Sequence, residues 1–416
     1  MYTRSKCVYA LLTAALIATS AFGQDAAAPA QAPAPAADPA AAATAPAAPA
    51  APAPLSAPAF TGPLSNIPPA VFDAGPFGKI AVNGVVSGLG TVQDNPVPGD
   101  KTRHADLSNG QVFIQKTDGW FQFYVQAGVY NLPDLGTPYL GTNNALSNLY
   151  GPVPQAFLKL QAGKNTSFEI GALPTLIGAE YTFSFENMNV QRGLLWNQET
   201  AVSRGIQVNQ AMGKFSASVS WNDGFYSDRY SWITGSLAYA NGPHALSFVA
   251  GGNMGQTAFE NAATPVQNNG SIYNVIYTFT KGSWIVTPYF QYTSVPTNAK
   301  IGIVKGASTT GGAVLVSYAM KHGFSLPFRF EYIGSSGSAA QDSVNLLYGP
   351  GSSGTSFTVT PTFQKAGFFV RGDLGYVHAG SAAKGAVFGP AGLDDSQFRA
   401  AAEIGFVFGN NVEKKP

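Results

Sequence analysis

The chain has 416 residues, of which only 11% are charged, and its 23 basic residues almost balance its 22 acidic ones. Soluble domains carry about a quarter charged residues, so this composition argues against an ordinary soluble protein, and the near-zero net charge excludes a polyanion-binding surface. The 47 glycines and 12% aromatic residues are typical of strands with lipid on one face and water on the other.

The first 23 residues have the pattern of a secretory signal peptide. Two basic residues precede an apolar run at 8–18, and Ala21 and Gly23 are the small residues expected before a cleavage site. The run is too short to cross a bilayer as a helix, which needs about 20 residues, so cleavage after Gly23 is favoured over an uncleaved anchor. Cleavage removes the only cysteine, Cys7, and leaves 21 basic against 22 acidic residues, without disulfide or thiol chemistry.

Residues 24–74 are predicted to be an Ala/Pro-rich periplasmic spacer. From residue 25 to residue 58 the chain is almost entirely Ala and Pro, without apolar periodicity. Such a segment cannot bury a core and favours an extended, polyproline-like conformation. A tether without a partner is the favoured interpretation, and a spacer that contacts peptidoglycan is the alternative.

Residues 75–408 are predicted to form an all-β transmembrane barrel. No later apolar run is long enough for a membrane helix, but strand segments alternate strictly in polarity. Between residues 324 and 332, large apolar side chains occupy one face, whereas Arg329 and Glu331 lie on the other with Ser325 and Pro327. One face suits lipid and the other suits water. A soluble sandwich would also bury aromatic side chains, but it rarely has so many long, equal strands.

Short and long connections alternate along this region. Seven tight turns are predicted, at residues 117–119, 163–165, 211–213, 241–243, 281–283, 321–323 and 365–366. Eight long loops separate the hairpins, at residues 92–109, 131–153, 174–202, 224–230, 255–270, 295–309, 335–353 and 379–396. The pattern predicts an antiparallel up-and-down barrel of about sixteen strands, with both ends on the periplasmic, short-turn side. Residues 409–416 are predicted to be a short periplasmic tail.

The third long loop, residues 174–202, is the predicted constriction. It is richer in large apolar residues than an external loop should be, and Leu176, Ile177 and Trp196 are examples. We expect it to fold into the lumen and pack against the inner wall, although a lid over the mouth or a subunit contact would bury the same side chains. The candidate constriction residues are Glu180, Glu186, Arg192 and Glu199.

Charged residues on the water-facing side of the strands are the predicted lumen wall. They are Lys159, Glu169, Arg329, Glu331, Arg371, Asp373, Arg399 and Glu403. An acidic loop opposite a basic wall would create a transverse field that sets selectivity. Local pairing is the alternative, because the Arg and the acid two residues later share a face and can neutralise each other or a cross-strand partner.

Motifs of enzymes and cofactor sites are missing from the sequence. It contains no nucleophile elbow, no phosphate-binding loop and no dinucleotide glycine fingerprint. The four histidines, His104, His244, His322 and His378, are scattered without the spacing of metal ligands. The sequence therefore predicts neither catalysis nor a metal or other cofactor.

Four stretches resemble a known family. They are Gly178-Ala179-Glu180, Asn187-Met188-Asn189, Arg204-Gly205-Ile206 and Trp221-Asn222-Asp223-Gly224. In them the chain resembles the OmpL-like β-barrel porins (outer-membrane porin-2 type), over about residues 77–408 and most specifically over 173–224. The resemblance implies a barrel in the bacterial outer membrane with porin activity, and it brings no assigned substrate residues.

Two functions are expected on these grounds. The first is a passive pore for small hydrophilic solutes, embedded in outer-membrane lipid as a homo-oligomer, with a trimer as the form that many sixteen-strand porins take. The alternative is a structural or adhesive barrel with a plugged lumen, tied to the cell wall by its spacer. Neither function involves nucleic acid.

Overall fold

The computed structural model describes residues 58–257 and 265–410. The predicted signal peptide, residues 24–57 of the predicted spacer and residues 411–416 of the predicted tail lie outside the described residues.

Strands make up most of the described chain. Their bounds are β1 (Ala70–Asp73), β2 (Lys79–Gln93), β3 (Arg103–Lys116), β4 (Phe121–Tyr130), β5 (Gln155–Gln161), β6 (Thr166–Pro174), β7 (Val202–Met212), β8 (Phe215–Asn222), β9 (Trp232–Asn241), β10 (His244–Asn253), β11 (Ser271–Lys281), β12 (Trp284–Val295), β13 (Ala307–Ala319), β14 (Phe324–Ser335), β15 (Ser353–Val359), β16 (Thr362–Lys365), β17 (Phe368–Gly380) and β18 (Ser396–Phe408).

Helices are few and short. They are α1 (Thr142–Asn148) and α2 (Pro265–Asn268), with 3-10 turns at Gly75–Phe77, Ser184–Glu186, Trp196–Gln198, Ala299–Ile301, Lys321–Gly323 and Ala339–Gln341. Among the described residues, no helix has the length and apolar character needed to span a membrane.

The strands form one closed antiparallel barrel, as predicted. From β2 to β15 each strand pairs with the next, β17 pairs with β18, and β18 pairs with β2, so that Arg399 lies opposite Gln93. β15 and β16 both pair with β14 and β17 and form one strand that is interrupted at Pro361, because proline has no N–H for the ladder. β1 pairs only with the start of β2. The barrel therefore has sixteen spanning strands.

The predicted alternation of connections is confirmed. The tight turns join β3 to β4, β5 to β6, β7 to β8, β9 to β10, β11 to β12, β13 to β14 and β16 to β17, and the long loops join the remaining neighbours. Gly213, Gly242 and Gly282 have φ values of 65°, 58° and 59° and follow directly on β7, β9 and β11, where a two-residue hairpin turn needs positive φ.

The outer surface of the barrel is apolar and the inner surface is polar. On β14, Phe330 is 50% exposed on the outside, whereas its neighbours Arg329 and Glu331 are fully buried on the inside. The same alternation on β8 places Phe215 and Trp221 outside and Ser220 inside. Exposed apolar side chains in a continuous band are stable in contact with lipid and unfavourable in contact with water. The outer surface therefore places the barrel wall in a membrane.

Residues 58–73, within the range predicted as spacer, contact the barrel from its short-turn side. Leu64 is almost fully buried in a cluster that includes Phe113 and Phe369. The amide of Asn410, just after β18, donates to the carbonyl of Pro68 at 2.7 Å. The chain therefore enters the barrel beside the end of its last strand.

The lipid-facing side of β14 offers a test of the membrane assignment. We expect Phe330→Arg, at mid-strand, to lower the free energy of unfolding by about 2–4 kcal/mol, because it places a cation near the bilayer midplane. Phe324→Arg, on the same face at the strand end, is the matched control and should cost about 0–1 kcal/mol. Urea unfolding in lipid vesicles measures both, and equal costs at the two depths would contradict the assignment.

Candidate functional site

The loop between β6 and β7, residues 175–201 (loop 3), lies inside the barrel. Almost all of its side chains are buried, and its backbone is hydrogen-bonded to inward residues of the wall. Asn274 on β11 accepts from the Gly178 amide at 3.2 Å, and the amide of Gln291 on β12 donates to the Leu195 carbonyl at 2.9 Å. The same loop contacts β14, β17 and β18, so it crosses the lumen.

A buried ion cluster fixes the middle of loop 3 to β14. The Arg329 guanidinium lies 2.5 Å from Glu180 of the loop and 3.1 Å from Glu331 of its own strand. Glu331 also accepts from the Leu194 amide, and Glu180 accepts from the Gly193 amide at 2.8 Å. A Cβ at Gly193 would lie 2.1 Å from the Glu331 carboxylate, so only glycine allows this close approach.

A second cluster fixes the first half of loop 3 to β17 and β18. Arg371 donates to the carbonyls of Ser184 and Met188, each at 2.8 Å, and lies 3.4 Å from Glu403. Glu403 accepts from the Ser184 hydroxyl at 2.9 Å. The arginine thus binds backbone oxygens at the end of a 3-10 turn and a carboxylate together, which replaces the hydration that its charge loses on burial.

Asp373 completes this attachment from β17. Its carboxylate accepts from the Val190 amide at 2.8 Å and from the Gln191 side chain at 2.7 Å. Its third partner is the Thr360 hydroxyl, also at 2.8 Å, beside the interruption between β15 and β16. The loop is therefore held through both its backbone and its side chains.

The loop between β4 and β5, residues 131–154 (loop 2), supports loop 3 from the outer side. Arg192 of loop 3 lies 2.8 Å from Asp134 of loop 2, and its guanidinium stacks over Trp196 at 5.0 Å. From the wall, Arg399 donates to the Asp134 and Thr137 carbonyls at 2.8 and 2.7 Å. Arg399 therefore binds the backbone of loop 2, and loop 2 in turn binds Arg192 through Asp134.

Glu186 has an unexpected partner, the segment of residues 58–66 (the N-terminal segment). Its carboxylate accepts from the Ala59 amide at 3.1 Å, and its carbonyl accepts from the Thr61 hydroxyl at 2.7 Å. Phe60 packs on Phe185 with ring centroids 5.4 Å apart. The Phe183 amide also donates to this carboxylate, at 3.1 Å, and burial raises the pKa of the Glu186 carboxyl to about 7.

This contact was missed in the sequence interpretation, which assigned the whole Ala/Pro-rich region to a spacer. The available signal was the return of large apolar residues, Phe60, Leu64 and Ile67, directly after the Ala/Pro run. Leu64 is buried, and the other two are half-buried and pack against the same core cluster.

The remaining predicted residues lie apart from these clusters. Glu199 has no hydrogen-bond partner for either carboxylate oxygen among the described residues, and burial together with the nearby Glu180 and Glu331 raises its pKa well above the ordinary value. On the other side of the barrel, Lys159 and Glu169 face each other at 3.7 Å on β5 and β6 and bind neither loop 3 nor the ion clusters.

The wall from β7 to β11 differs from β14, β17 and β18 in the charge of its inward side chains. All inward side chains of these described strands are uncharged. Examples are Ser203, Gln207, Asn209, Ser216, Ser218, Ser220, Asn222, Trp232, Thr234, Ser236, Ala238, Ser247, Val249, Ile272, Asn274, Ile276 and Thr278. Ser216 is exposed and Ser218 half-buried, so this wall faces open space in its short-turn half. Near the outer end, Ile177 of loop 3 packs against Trp232.

A family model, described as Putative beta-barrel porin-2, OmpL-like, matches residues 79–408. The chain belongs to this family. This OmpL-like porin is therefore a β-barrel of the bacterial outer membrane, as the sequence resemblance predicted. No curated protein matches it.

Solved outer-membrane proteins share the fold of this OmpL-like porin. The outer-membrane channel DcaP of Acinetobacter baumannii has a TM-score of 0.55 at 11% identity, covering 82% of this chain and 100% of that one. In-vitro folded OmpT of Vibrio cholerae has a TM-score of 0.53 at 13% identity, with 80% and 98% covered. Salmonella typhi OmpF, in a complex with daunomycin, has 0.52 at 10%, with 79% and 98% covered.

Removal of the central arginine tests whether the ion cluster holds loop 3. We expect Arg329→Met to lower the free energy of unfolding by about 3–5 kcal/mol, because Glu180 and Glu331 would remain buried without their cation. Limited proteolysis should then cut within residues 175–201. Lys116→Met, which breaks an ion pair with Asp118 next to a short turn, is the control and should change little. Unaltered resistance of loop 3 in Arg329→Met would show that the cluster does not hold it.

Proposed function

We propose that this protein is a porin, not an enzyme, and that it lets small hydrophilic solutes diffuse passively across the outer membrane. One observation carries the proposal: buried charges anchor loop 3 to β14, β17 and β18, while the wall from β7 to β11 directs only uncharged side chains towards the lumen and is exposed near its short turns, at Ser216. An anchored loop narrows a passage without filling the whole barrel. The family match supports the porin assignment in general terms.

The constriction residues follow from this geometry. Glu199 lies beside this group without a hydrogen-bond partner among the described residues. Glu180, Glu186 and Arg192 act by holding loop 3 in place, and the charged wall residues that bind loop 2 and loop 3 are Arg329, Glu331, Arg371, Asp373, Arg399 and Glu403. Since these charges are paired and buried, they set the width of the passage. The pair Lys159 and Glu169 is partly exposed and is the charged group nearest to the uncharged wall.

Assembly into a trimer is part of the proposal. A structure of Vibrio cholerae OmpT with the same fold is described as a trimer form. Crosslinking of the protein in native membranes, followed by electrophoresis without heating, would show the number of subunits.

A plugged structural barrel is the second candidate, favoured by one observation. Loop 2, loop 3 and the N-terminal segment together bury the inward charges of β14, β17 and β18, so much of the lumen is occupied. In this proposal the Ala/Pro segment tethers the barrel to peptidoglycan. Pull-down with purified peptidoglycan, with and without residues 25–57, tests the tether independently of conductance.

Recording in a planar bilayer distinguishes the two candidates. We expect stepwise conductance from the purified protein, and we expect a larger step when residues 180–197 are replaced by a short Gly/Ser linker, because the anchored part of loop 3 is removed. Shortening residues 298–303, in the loop between β12 and β13, is the control and should leave the step unchanged. A complete lack of steps in all three proteins would rule out the porin.

The N-terminal segment should narrow the same passage. We expect deletion of residues 58–66 to enlarge the conductance step or its fluctuations, because Phe185 and Glu186 lose their partners Phe60 and Thr61. Deletion of residues 25–57, which leaves the segment in place, is the control. The double variant Phe60→Ala with Thr61→Val should reproduce the effect without shortening the chain, and a step equal to the wild-type value in both would exclude this role.

A further inference from the structure

We propose that the passage favours uncharged, hydroxyl-bearing solutes, such as polyols and small sugars, over ions of similar size, and that a recess between loop 3 and strands β7–β9 is a subsite that binds one of their hydroxyl groups. This inference rests on the proposed porin function and names its solute class.

The first observation is the uncharged wall. Five consecutive strands, β7 to β11, direct only neutral side chains inward, and their cross-strand neighbours continue the pattern: Ser218 lies between Asn209 and Ser236 in the ladder. The basic side chains of these strands, Arg204, His244 and Lys281, fall on the outward-facing register of β7, β10 and β11. Solutes that move along this wall meet hydroxyl, amide and methyl groups.

The second observation is that the opposite wall contributes little field. Arg329, Arg371 and Glu403 are fully buried and are paired with acids, bases or backbone oxygens within 3.4 Å. Arg329 lies against Glu180 and Glu331, Arg371 lies near Asp373 and Glu403, and Arg399 adds a positive charge beside them. Most of the charge on this wall therefore cancels at the distance of the open wall. An ion that loses water in a narrow passage needs a fixed opposite charge or dipoles to replace its hydration, whereas a neutral solute needs only donors and acceptors.

The third observation is the recess itself, whose cavity volume of about 10 Å³ admits about one water-sized group, such as a single hydroxyl. Its polar lining includes Thr175, Thr200, Ser203, Ser220, Asn222 and Thr234. Every polar side chain in this lining carries a hydroxyl or an amide, and each hydroxyl can both donate and accept.

Hydrogen bonds inside the recess place its polar atoms without using all of them. The hydroxyls of Thr175 and Thr200 lie 3.1 Å apart and join both ends of loop 3. Asn222 donates to Ser220 at 3.0 Å and to Thr234 at 3.4 Å. Since each hydroxyl oxygen accepts up to two hydrogen bonds and donates one, Ser220 and Thr234 retain free capacity towards a solute.

Swelling of liposomes that contain the full-length protein measures the solute preference. We expect ribitol and glucose to enter several-fold faster than gluconate and glucosamine, and a reversal potential near zero in a KCl gradient. Ser218→Asp adds one charge to the neutral wall and should shift the reversal potential towards cation selectivity. Equal entry of charged and uncharged probes, or strong ion selectivity of the wild type, overturns the proposal while stepwise conductance still supports a porin.

An isosteric substitution tests the subsite separately. Thr234→Val removes a hydroxyl of the recess while keeping its shape, and we expect it to weaken several-fold the concentration-dependent reduction of KCl current by ribitol. Thr278→Val, an inward residue of β11 outside the recess, is the matched control and should leave that reduction unchanged. Identical ribitol responses of both variants and the wild type would exclude the recess as the subsite, and lack of any conductance in the wild type would instead reject the porin function.

Discussion

Closure of the backbone hydrogen-bond ladder is the constraint on which this structure depends. In lipid no water is present to satisfy an exposed strand edge, so β18 must pair with β2, and it does so from Arg399 opposite Gln93 to Phe408 opposite Gly84. Closure of sixteen strands creates an interior too wide for side chains of the wall to fill alone. The interior must therefore hold water, loops or both, and here loop 2 and loop 3 occupy part of it.

Buried charges decide where the loops lie. A guanidinium inside the barrel loses hydration that only several acceptors can replace. Arg371 obtains these acceptors from carbonyls of loop 3 and from Glu403, and Arg329 obtains them from Glu180, Glu331 and the Gln191 carbonyl. Loop 3 is thus drawn to the wall that carries the arginines. The opposite wall, from β7 to β11, has no inward charge to satisfy. Loop 3 contacts its outer half at Asn274 and Trp232, and its short-turn half is exposed at Ser216.

This asymmetry connects the fold to permeation. A transverse electric field requires that charges on the loop and on the wall face each other across an open passage. In this barrel the charges of loop 3 and of the wall are in direct contact and form ion pairs. Glu199 lacks a bonded cation, and burial raises the pKa of its carboxyl. In the proposed pore, charge holds the constriction, and selection falls to the hydroxyl and amide groups of the neutral wall and of the recess beside Thr234.

Local pattern alone determined the barrel, because alternation along Phe324–Ser335 and a turn at each predicted site are properties of neighbouring residues. The sequence also predicted that Glu180 and Arg329 lie at one constriction. Both the apolar character of the third loop and the inward-facing charges of each strand can be read from the local residue pattern. Only the tertiary structure decided which charges pair, and that residues 58–66 reach Glu186. Those contacts join positions more than a hundred residues apart, and no local periodicity encodes the direction in which a loop folds after the barrel has closed.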